Sequence, residues 1–267
     1  MIPVGDRVSE GDPDASFYKR KNGEKSKLGY QNAFATDIKE GIITRVFTIC
    51  GSDNMSEQIK PLIKNKVVPE LTLDAEFSIG ELVSMAQDKG IIFNVPLRNK
   101  GSRGIYPKAV FKYDYDLDIY KCPEGNILRP PSNKSEDKVI YSCSTKTCKN
   151  CPVKGECTKS KTSGRTIERS KYELAWEFHE EYIQSDRYQR AKVIRGILAE
   201  GKFFEANILY NLNEAKHVGI ALMHAQAQMT AIVINVKRFL KVITRRNNSK
   251  NETYEELPYL IANLTGK

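Results

Sequence analysis

The amino-acid sequence predicts an α/β fold, and three features support this prediction. Two adjoining segments are rich in β-branched and aromatic residues, a strand–helix–strand pattern follows them, and two long amphipathic helical patterns occupy the C-terminal half. The chain has 267 residues, of which 40% are hydrophobic. This length is enough to bury a core and corresponds to one or two domains.

The N-terminal part predicts an irregular leader, a pair of strands and a helix. Glycine and proline punctuate residues 1–29, which therefore lack a regular pattern. Strands are predicted over Tyr30–Asp37 and Gly41–Cys50, joined by a polar turn. A helix is predicted over Ser56–Lys66, and Pro69 follows as a stop signal.

A strand–helix–strand unit comes next. Residues 70–74 form a short predicted strand, and Ser78 with Glu81 predicts a capping box that opens a helix. Gly90 is expected to end that helix, and the apolar run 91–95 predicts a strand buried on both faces. Because open α/β sheets bind ligands at the carboxyl ends of their strands, Asp74 becomes a candidate functional residue.

The remaining chain divides into a small module and two helical patterns. Residues 98–171 are rich in Gly, Pro, Ser, Lys and Cys, which predicts an inserted module with short strands over Ala109–Tyr115 and Val139–Ser142. Helical patterns cover Tyr172–Phe204 and Val218–Ile243. In the second pattern, apolar residues recur at three- and four-residue steps: Leu222, Ala225, Met229, Ile232, Val236 and Phe239.

The net charge of +9 indicates a polyanionic partner or a solvated basic surface. Basic residues concentrate in 142–171 and in 237–250. No stretch approaches the roughly 18 uncharged apolar residues of a membrane span, and the N-terminus lacks the pattern of a secretory signal. A cytoplasmic protein is therefore expected.

The cysteines suggest a structural zinc site. Five of the six lie between positions 122 and 157, and a Cys-x2-Cys turn presents two thiolates together. The four expected ligands are Cys122, Cys148, Cys151 and Cys157, with Cys143 as a possible substitute. Disulfides and free thiols are the alternatives, and a cytosolic location disfavours the former.

A second acidic candidate is Glu200. On a helical wheel an apolar stripe comprises Val193, Ile194, Ile197, Leu198 and Phe204. Glu200 falls on the edge of this stripe, and Arg195 falls opposite it. An edge position could direct the carboxylate towards the end of a sheet, whereas most glutamates so placed are structural or solvated.

Several short motifs follow one another along the chain. The first motifs are Asp12-Pro-Asp-Ala, Gly29-Tyr-Gln-Asn and Leu73-Asp-Ala. They are followed by Cys148-x2-Cys-Pro and Ala199-Glu-Gly, and the series ends at Asn235-Val-Lys-Arg. Taken in this order, the motifs resemble the DDE transposases of bacterial insertion sequences, and the similarity runs over roughly residues 8–243.

This resemblance implies an RNase H-like mixed sheet flanked by helices, with a zinc-ribbon-like insertion. It divides the chain into the leader 1–29, a DDE domain made of 30–97 and 172–243, the cysteine-rich module 98–171 and the tail 244–267. Asp74 and Glu200 are implied to be catalytic and to bind Mg²⁺ or Mn²⁺, while the cysteines bind Zn²⁺. Two divalent ions would support phosphoryl displacement on DNA.

The resemblance also implies partners. Insertion-sequence ends and target DNA would be bound in a cytoplasmic, nucleoid-associated setting. In the family the first catalytic Asp lies on a strand well upstream of Asp12, so we expect an N-terminally truncated or split enzyme. Its protein partner would be a separate N-terminal half or a second copy in a homodimer, and activity of the chain alone stays open. The alternative is a non-catalytic, zinc-containing DNA-binding protein derived from a transposase.

Overall fold

The computed structural model describes residues 9–18, 26–97, 105–248 and 260–263. The chain forms two compact units. We call Met1–Leu97 together with Phe178–Lys267 the sheet unit, and Arg98–Glu177 the cysteine unit. Strands and helices occur in both, so the predicted α/β class is confirmed.

The sheet unit contains an antiparallel sheet centred on a long strand. Its strands are β1 (Ser16–Tyr18), β2 (Lys27–Asp37), β3 (Ile43–Cys50) and β11 (Leu260–Asn263). Each of the other three pairs antiparallel with β2. Most of β2 is buried because helices cover it, and this explains its aromatic and small-residue composition.

The predicted strand–helix–strand unit is confirmed. Strand β4 (Glu70–Thr72) pairs in parallel with β5 (Ile92–Asn94), and helix α2 (Gly80–Asp88) connects them. Helix α1 (Ser56–Lys64) precedes β4 and contacts α2. Strand β11 contacts β4 as well as pairing with β2. The C-terminal strand therefore links the antiparallel sheet to the parallel pair.

One local prediction in this unit is wrong, namely the capping box of Ser78 and Glu81. Helix α2 begins after Ile79, which makes no side-chain cap hydrogen bond. Among the described residues the buried Ser78 hydroxyl oxygen has no hydrogen-bond partner, and Ser78 ends a 3₁₀ turn over Ala75–Phe77 instead of capping α2. The predicted helix end is correct, since Gly90 adopts a left-handed φ of 63°.

The C-terminal half of the sheet unit is helical, and its first helix begins in the last residues of the cysteine unit. Helix α5 (Glu173–Tyr182) is followed by α6 (Asp186–Arg195), a π-helical turn over Gly196–Glu200, α7 (Gly201–Leu209) and α8 (Ile220–Asn248). The single helix predicted over 172–204 is thus interrupted. Ser185 caps α6 by accepting a hydrogen bond from the backbone N–H of Tyr188, which favours a new helix start there.

Helices α7 and α8 cover β2 and β3 with small and aromatic side chains. The Phe34 and Phe203 rings stack with centroids 4.9 Å apart, and Ala206 and Ala227 are fully buried in the same core cluster. Small side chains allow the helix backbones to approach the sheet closely. The buried face of each helix is therefore not its most apolar face.

The apolar stripe predicted on α6 and α7 faces outward. Val193, Ile197 and Phe204 are 61%, 71% and 67% exposed, whereas Arg195 keeps only 17% of its side-chain surface accessible. The π-helical turn contributes to this outcome, since it shifts the helical phase between the residues before and after it. A helical wheel drawn at a constant 100° per residue therefore assigns these residues to the wrong side of the helix.

The cysteine unit is built on a five-stranded antiparallel sheet with strand order β10-β9-β8-β7-β6. The strands are β6 (Lys112–Asp114), β7 (Ile119–Lys121), β8 (Ile127–Arg129), β9 (Lys138–Cys143) and β10 (Thr166–Ser170). Two short helices, α3 (Thr145–Lys149) and α4 (Lys154–Cys157), lie between β9 and β10. In neither unit does a described helix have the length and apolarity needed to cross a membrane.

Candidate functional site

Five cysteines surround one small cavity in the cysteine unit. The cavity measures about 20 Å³, and the residues lining it include Cys122, Cys143, Cys148, Cys151 and Cys157. Helix α3 supplies Cys148 and α4 supplies Cys157, while Cys143 ends β9. The fold thus brings together all four cysteines predicted as ligands, together with the predicted substitute.

An arginine organises the surroundings of these thiols. The Arg165 backbone N–H donates to Cys148 Sγ at 3.5 Å. Its guanidinium donates to the carbonyl oxygens of Cys157 and Tyr106 at 2.9 and 3.0 Å, and it lies over the Phe111 ring. Arg165 therefore ties the loop before β10 to the cysteine cluster.

Burial governs the protonation of the inner cysteines. Burial, followed by a hydrogen bond with Cys148, raises the pKa of the Cys143 thiol to about 12. Burial also raises the pKa of Cys157 above its ordinary value. Without a cation these two side chains are neutral thiols at neutral pH. Cys50 lies apart from them, on β3 of the sheet unit.

Asp74 follows strand β4, as predicted, and is half-buried. Its Oδ1 atom accepts a hydrogen bond from the Ala75 N–H at 2.6 Å, so the carboxylate caps the 3₁₀ turn.

Glu200 is the last residue of the π-helical turn and is exposed. Its Oε1 atom lies 3.1 Å from a guanidinium nitrogen of the half-buried Arg195. The same turn lies beside the β2–β3 hairpin, because a Cβ at Gly41 would come within 3.3 Å of the Leu198 side chain. The hairpin thus supports the segment that carries Glu200.

The described residues contain no group of three or more His, Cys, Asp or Glu side chains arranged to hold a metal ion. The roles predicted for Asp74, Glu200 and the cysteines therefore stay predictions.

The Asp-Pro-Asp-Ala motif has a structural role that the sequence did not reveal. The Tyr30 hydroxyl donates to the Asp12 carboxylate, whose oxygens lie 2.6 and 2.7 Å away. The backbone N–H groups of Gly219 and Ile220, which open α8, donate to Asp12 and Asp14. Burial raises the pKa of Tyr30, and the hydrogen bond to Asp12 adds to this shift.

The Asn-x-Lys-Arg motif of α8 also has a structural role. Asn235 accepts a hydrogen bond from the Ile43 N–H and donates one to the Ile43 carbonyl, both at 2.8 Å. Arg238 Nε donates to the Glu40 carbonyl at 2.6 Å. These side chains clamp the turn between β2 and β3. A sequence separation of 192 residues hides such a contact from local analysis.

Residues 121–240 match the family model described as the transposase DDE domain. No curated protein and no solved structure matches the chain. The matched stretch contains all five clustered cysteines, Glu200 and the Asn235 motif, and it begins after Asp74. Over residues 121–240 this match confirms the resemblance to DDE transposases that was drawn from the motifs.

Proposed function

We propose that this chain is the catalytic region of a DDE transposase, which cleaves insertion-sequence ends and joins them to target DNA. The observation that carries the proposal is the family match over residues 121–240, a stretch that includes Glu200. A cytoplasmic, nucleoid-associated location accords with this activity. DNA is the partner, and the basic residues of the chain would contact its phosphates.

Asp74 and Glu200 are the carboxylates that we assign to catalysis. Carboxylate oxygens are the protein ligands that Mg²⁺ and Mn²⁺ prefer, and when bound such ions activate the attacking hydroxyl and stabilise the leaving oxygen. Support comes from the position of Asp74 at the end of β4 and from the π-helical turn that ends at Glu200. Turns of this kind occur frequently at functional sites.

The two carboxylates suit a hard cation by type, yet a two-metal site needs a further acid. The described residues supply no group of three ligands. Strand β11, which contacts β4, has the sequence Leu-Ile-Ala-Asn and thus no acidic residue. We assign the further carboxylate to a separate N-terminal half, the partner that the resemblance implies. Within this chain, Arg195 holds Glu200 until a cation or substrate displaces it.

The test is a DNA nicking assay in Mg²⁺ or Mn²⁺, with the chain alone and with a polypeptide carrying the first catalytic strand that the resemblance implies. Asp74→Asn and Glu200→Gln should each lower cleavage by about 100-fold or more, as removal of a group that stabilises the transition state does. The matched controls are Asp88→Asn and Glu180→Gln, which alter exposed acids of α2 and α5. Cleavage that survives both site substitutions would overturn the assignment.

A second candidate function, a non-catalytic zinc-containing DNA-binding protein, is favoured by the cysteine cavity. We assign Zn²⁺ to Cys122, Cys148, Cys151 and Cys157, with Cys143 as the substitute ligand. Thiolate sulfur is a preferred zinc ligand, and the enclosure of the cavity suits a structural ion. Such an ion would stabilise the cysteine unit without taking part in reactions on DNA.

Metal analysis of the purified chain tests the zinc assignment. One equivalent of zinc is expected, and the double substitution Cys148→Ser/Cys151→Ser should remove it. Cys50→Ser is the control, because Cys50 lies in the other unit. Zinc content unaffected by the double substitution would exclude these ligands. Salt-dependent DNA binding without any cleavage, in the presence of the N-terminal half, would favour the second function over the first.

A further inference from the structure

Helix α8 has two apolar faces, of which the sheet covers only one. The inner face is buried against β2 and β3 and consists of Met223, Ala227, Ala231 and Ile234. The outer face carries large apolar side chains that are 40–61% exposed: Leu222, Met229, Ile232, Val236, Phe239 and Ile243. Monomeric proteins rarely leave a continuous apolar strip of this length uncovered.

The outer face follows a heptad repeat without interruption. With Ala225 included, the apolar positions run 222, 225, 229, 232, 236, 239 and 243, in alternating steps of three and four. This spacing is typical of the a and d positions of a coiled coil. It extends over three heptads, or roughly 32 Å of helix at 1.5 Å per residue.

The positions flanking this strip are uncharged. The e and g positions are Ala221, Gln226, Gln228, Val233, Asn235, Leu240 and Val242. Like charges at these positions would oppose the pairing of identical helices, and here there are none.

The strip also contains both a groove and a projecting ring. A groove of about 410 Å³ opens beside the N-terminal half of α8 and is lined by Leu222, Ala225 and Met229, together with Tyr210 and His217. Phe239, in the C-terminal half, is 59% exposed. Ala225 and Phe239 are about 21 Å apart along the helix. When a second copy lies antiparallel to the first, the Phe239 ring of each copy is complementary to the groove of the other.

We propose that two copies of this chain dimerise through an antiparallel pairing of their α8 outer faces. In this register Leu222 of one copy faces Phe239 of the other, Ala225 faces Val236, and Met229 faces Ile232. Each Phe239 ring enters the groove of the other copy. The contact is isologous, since the same patch serves both copies about a twofold axis.

We assign the exposed apolar side chains of α7 to the edge of this interface. Helix α7 contacts α8, and its Phe204 and Ile208 are 67% and 63% exposed. A stable protein interface commonly buries about 800 Å² on each partner, which a single helix seam does not reach easily. The apolar residues of α7 supply additional area on the outer surface of the same helical layer.

The oligomeric state of the full chain is the first test, measured by light scattering during size-exclusion chromatography. The unmodified chain should elute as a dimer of twice its 30.3 kDa mass. Ile232→Glu, near the centre of the seam, should convert it to a monomer with unchanged circular dichroism. Ile140→Glu is the matched control on the cysteine unit, where Ile140 is 48% exposed. A monomeric unmodified chain, or a dimer that survives Ile232→Glu, would overturn the proposal.

The orientation is tested by cross-linking single-cysteine additions. A mixture of Leu222→Cys and Phe239→Cys chains should form a disulfide that joins positions 222 and 239, identified by mass spectrometry. Neither variant alone should cross-link at its introduced cysteine. A disulfide joining two copies at position 222, or at position 239, would contradict the antiparallel arrangement.

Discussion

At the scale of single residues, two polar side chains of α8 hold the turn between β2 and β3. Asn235 pairs with both backbone groups of Ile43, which is buried. Arg238 binds the Glu40 carbonyl. Because the turn also lies against Leu198, these contacts indirectly position the helical segment that carries Glu200.

Asn235→Ala is expected to lower the free energy of unfolding by about 1–3 kcal/mol, because it leaves the N–H and C=O of Ile43 without partners. Urea unfolding followed by circular dichroism measures the change. Lys241→Ala, at an exposed position of the same helix outside the proposed dimer seam, is the control and should change stability by less than about 0.5 kcal/mol. Equal changes in the free energy of unfolding for the two substitutions would contradict the role assigned to the Asn235–Ile43 hydrogen bonds.

A buried histidine makes stability depend on pH. His179 is 3% exposed, and its Nε2 lies 2.9 Å from the Val95 carbonyl, to which the neutral ring donates. Burial lowers the pKa of His179 below its ordinary value, because the charged ring would be desolvated. The unfolded chain therefore binds a proton more readily than the folded protein does.

Stability should consequently be complete above about pH 6.5 and fall as the pH drops below that value. The urea midpoint, measured between pH 5 and 8, should show this loss. His179→Gln keeps a donor for Val95 and should flatten the dependence, whereas His217→Gln, at an exposed position, should leave it unchanged. A slope that is the same in all three proteins would contradict the assignment to His179.

At the scale of secondary-structure elements, the close approach of two backbone segments limits the size of the side chain that fits between them. A Cβ at Gly164, in the loop before β10, would lie 2.3 Å from the Cys143 carbonyl oxygen at the end of β9. The Cys143 N–H donates to the Arg165 carbonyl next to it. Glycine at this position allows the loop to pass directly over the strand that presents Cys143.

Gly164→Ala should destabilise the cysteine unit by about 1–3 kcal/mol, since the neighbouring backbone must move to admit the methyl group. Trp176, the single tryptophan of the chain, lies in this unit and reports its unfolding by fluorescence. Gly155→Ala is the control, because its Cβ would meet nothing within 4 Å. Fluorescence midpoints that agree in the two variants would exclude the proposed steric conflict.

At the scale of the whole molecule, positive charge is the property that matters most for contact with phosphates. The net charge is +9, and four exposed lysines lie on or near the short helices of the cysteine unit: Lys146, Lys149, Lys159 and Lys161. Other basic residues of this unit are already paired, for example Lys171 with Asp137 and Arg169 with Glu177. The exposed lysines are therefore the candidates for phosphate contact.

DNA affinity should fall steeply with salt, by about 10³-fold between 50 and 200 mM if six phosphates are contacted. Lys146→Gln/Lys149→Gln should weaken binding and reduce the salt slope by about 2. Lys64→Gln/Lys89→Gln, which alters exposed lysines of the sheet unit, serves as the matched control. Fluorescence anisotropy with labelled DNA gives both quantities. Binding that is insensitive to salt would contradict the phosphate contacts.

Local patterns in the sequence determined the elements and the grouping of the cysteines. The period-two strands, the strand–helix–strand unit and the Gly90 helix end depend on neighbouring residues, and they agree with the structure. The cysteines converge on one cavity because they lie within 36 positions of each other around a single small sheet. Short sequence separations leave little freedom for such residues to diverge.

Tertiary structure alone decided which face of each helix is buried and which distant residues meet. A helical period identifies an apolar face but does not say whether a sheet or a partner covers it. In α8 the small side chains Ala227 and Ala231 face the sheet because they permit close packing, while the more apolar heptad face stays outside. The contact of Asp12 with Gly219 joins residues 207 positions apart. Only the folded chain brings such groups together, because burial of the whole core compensates for the entropy lost in closing so long a loop.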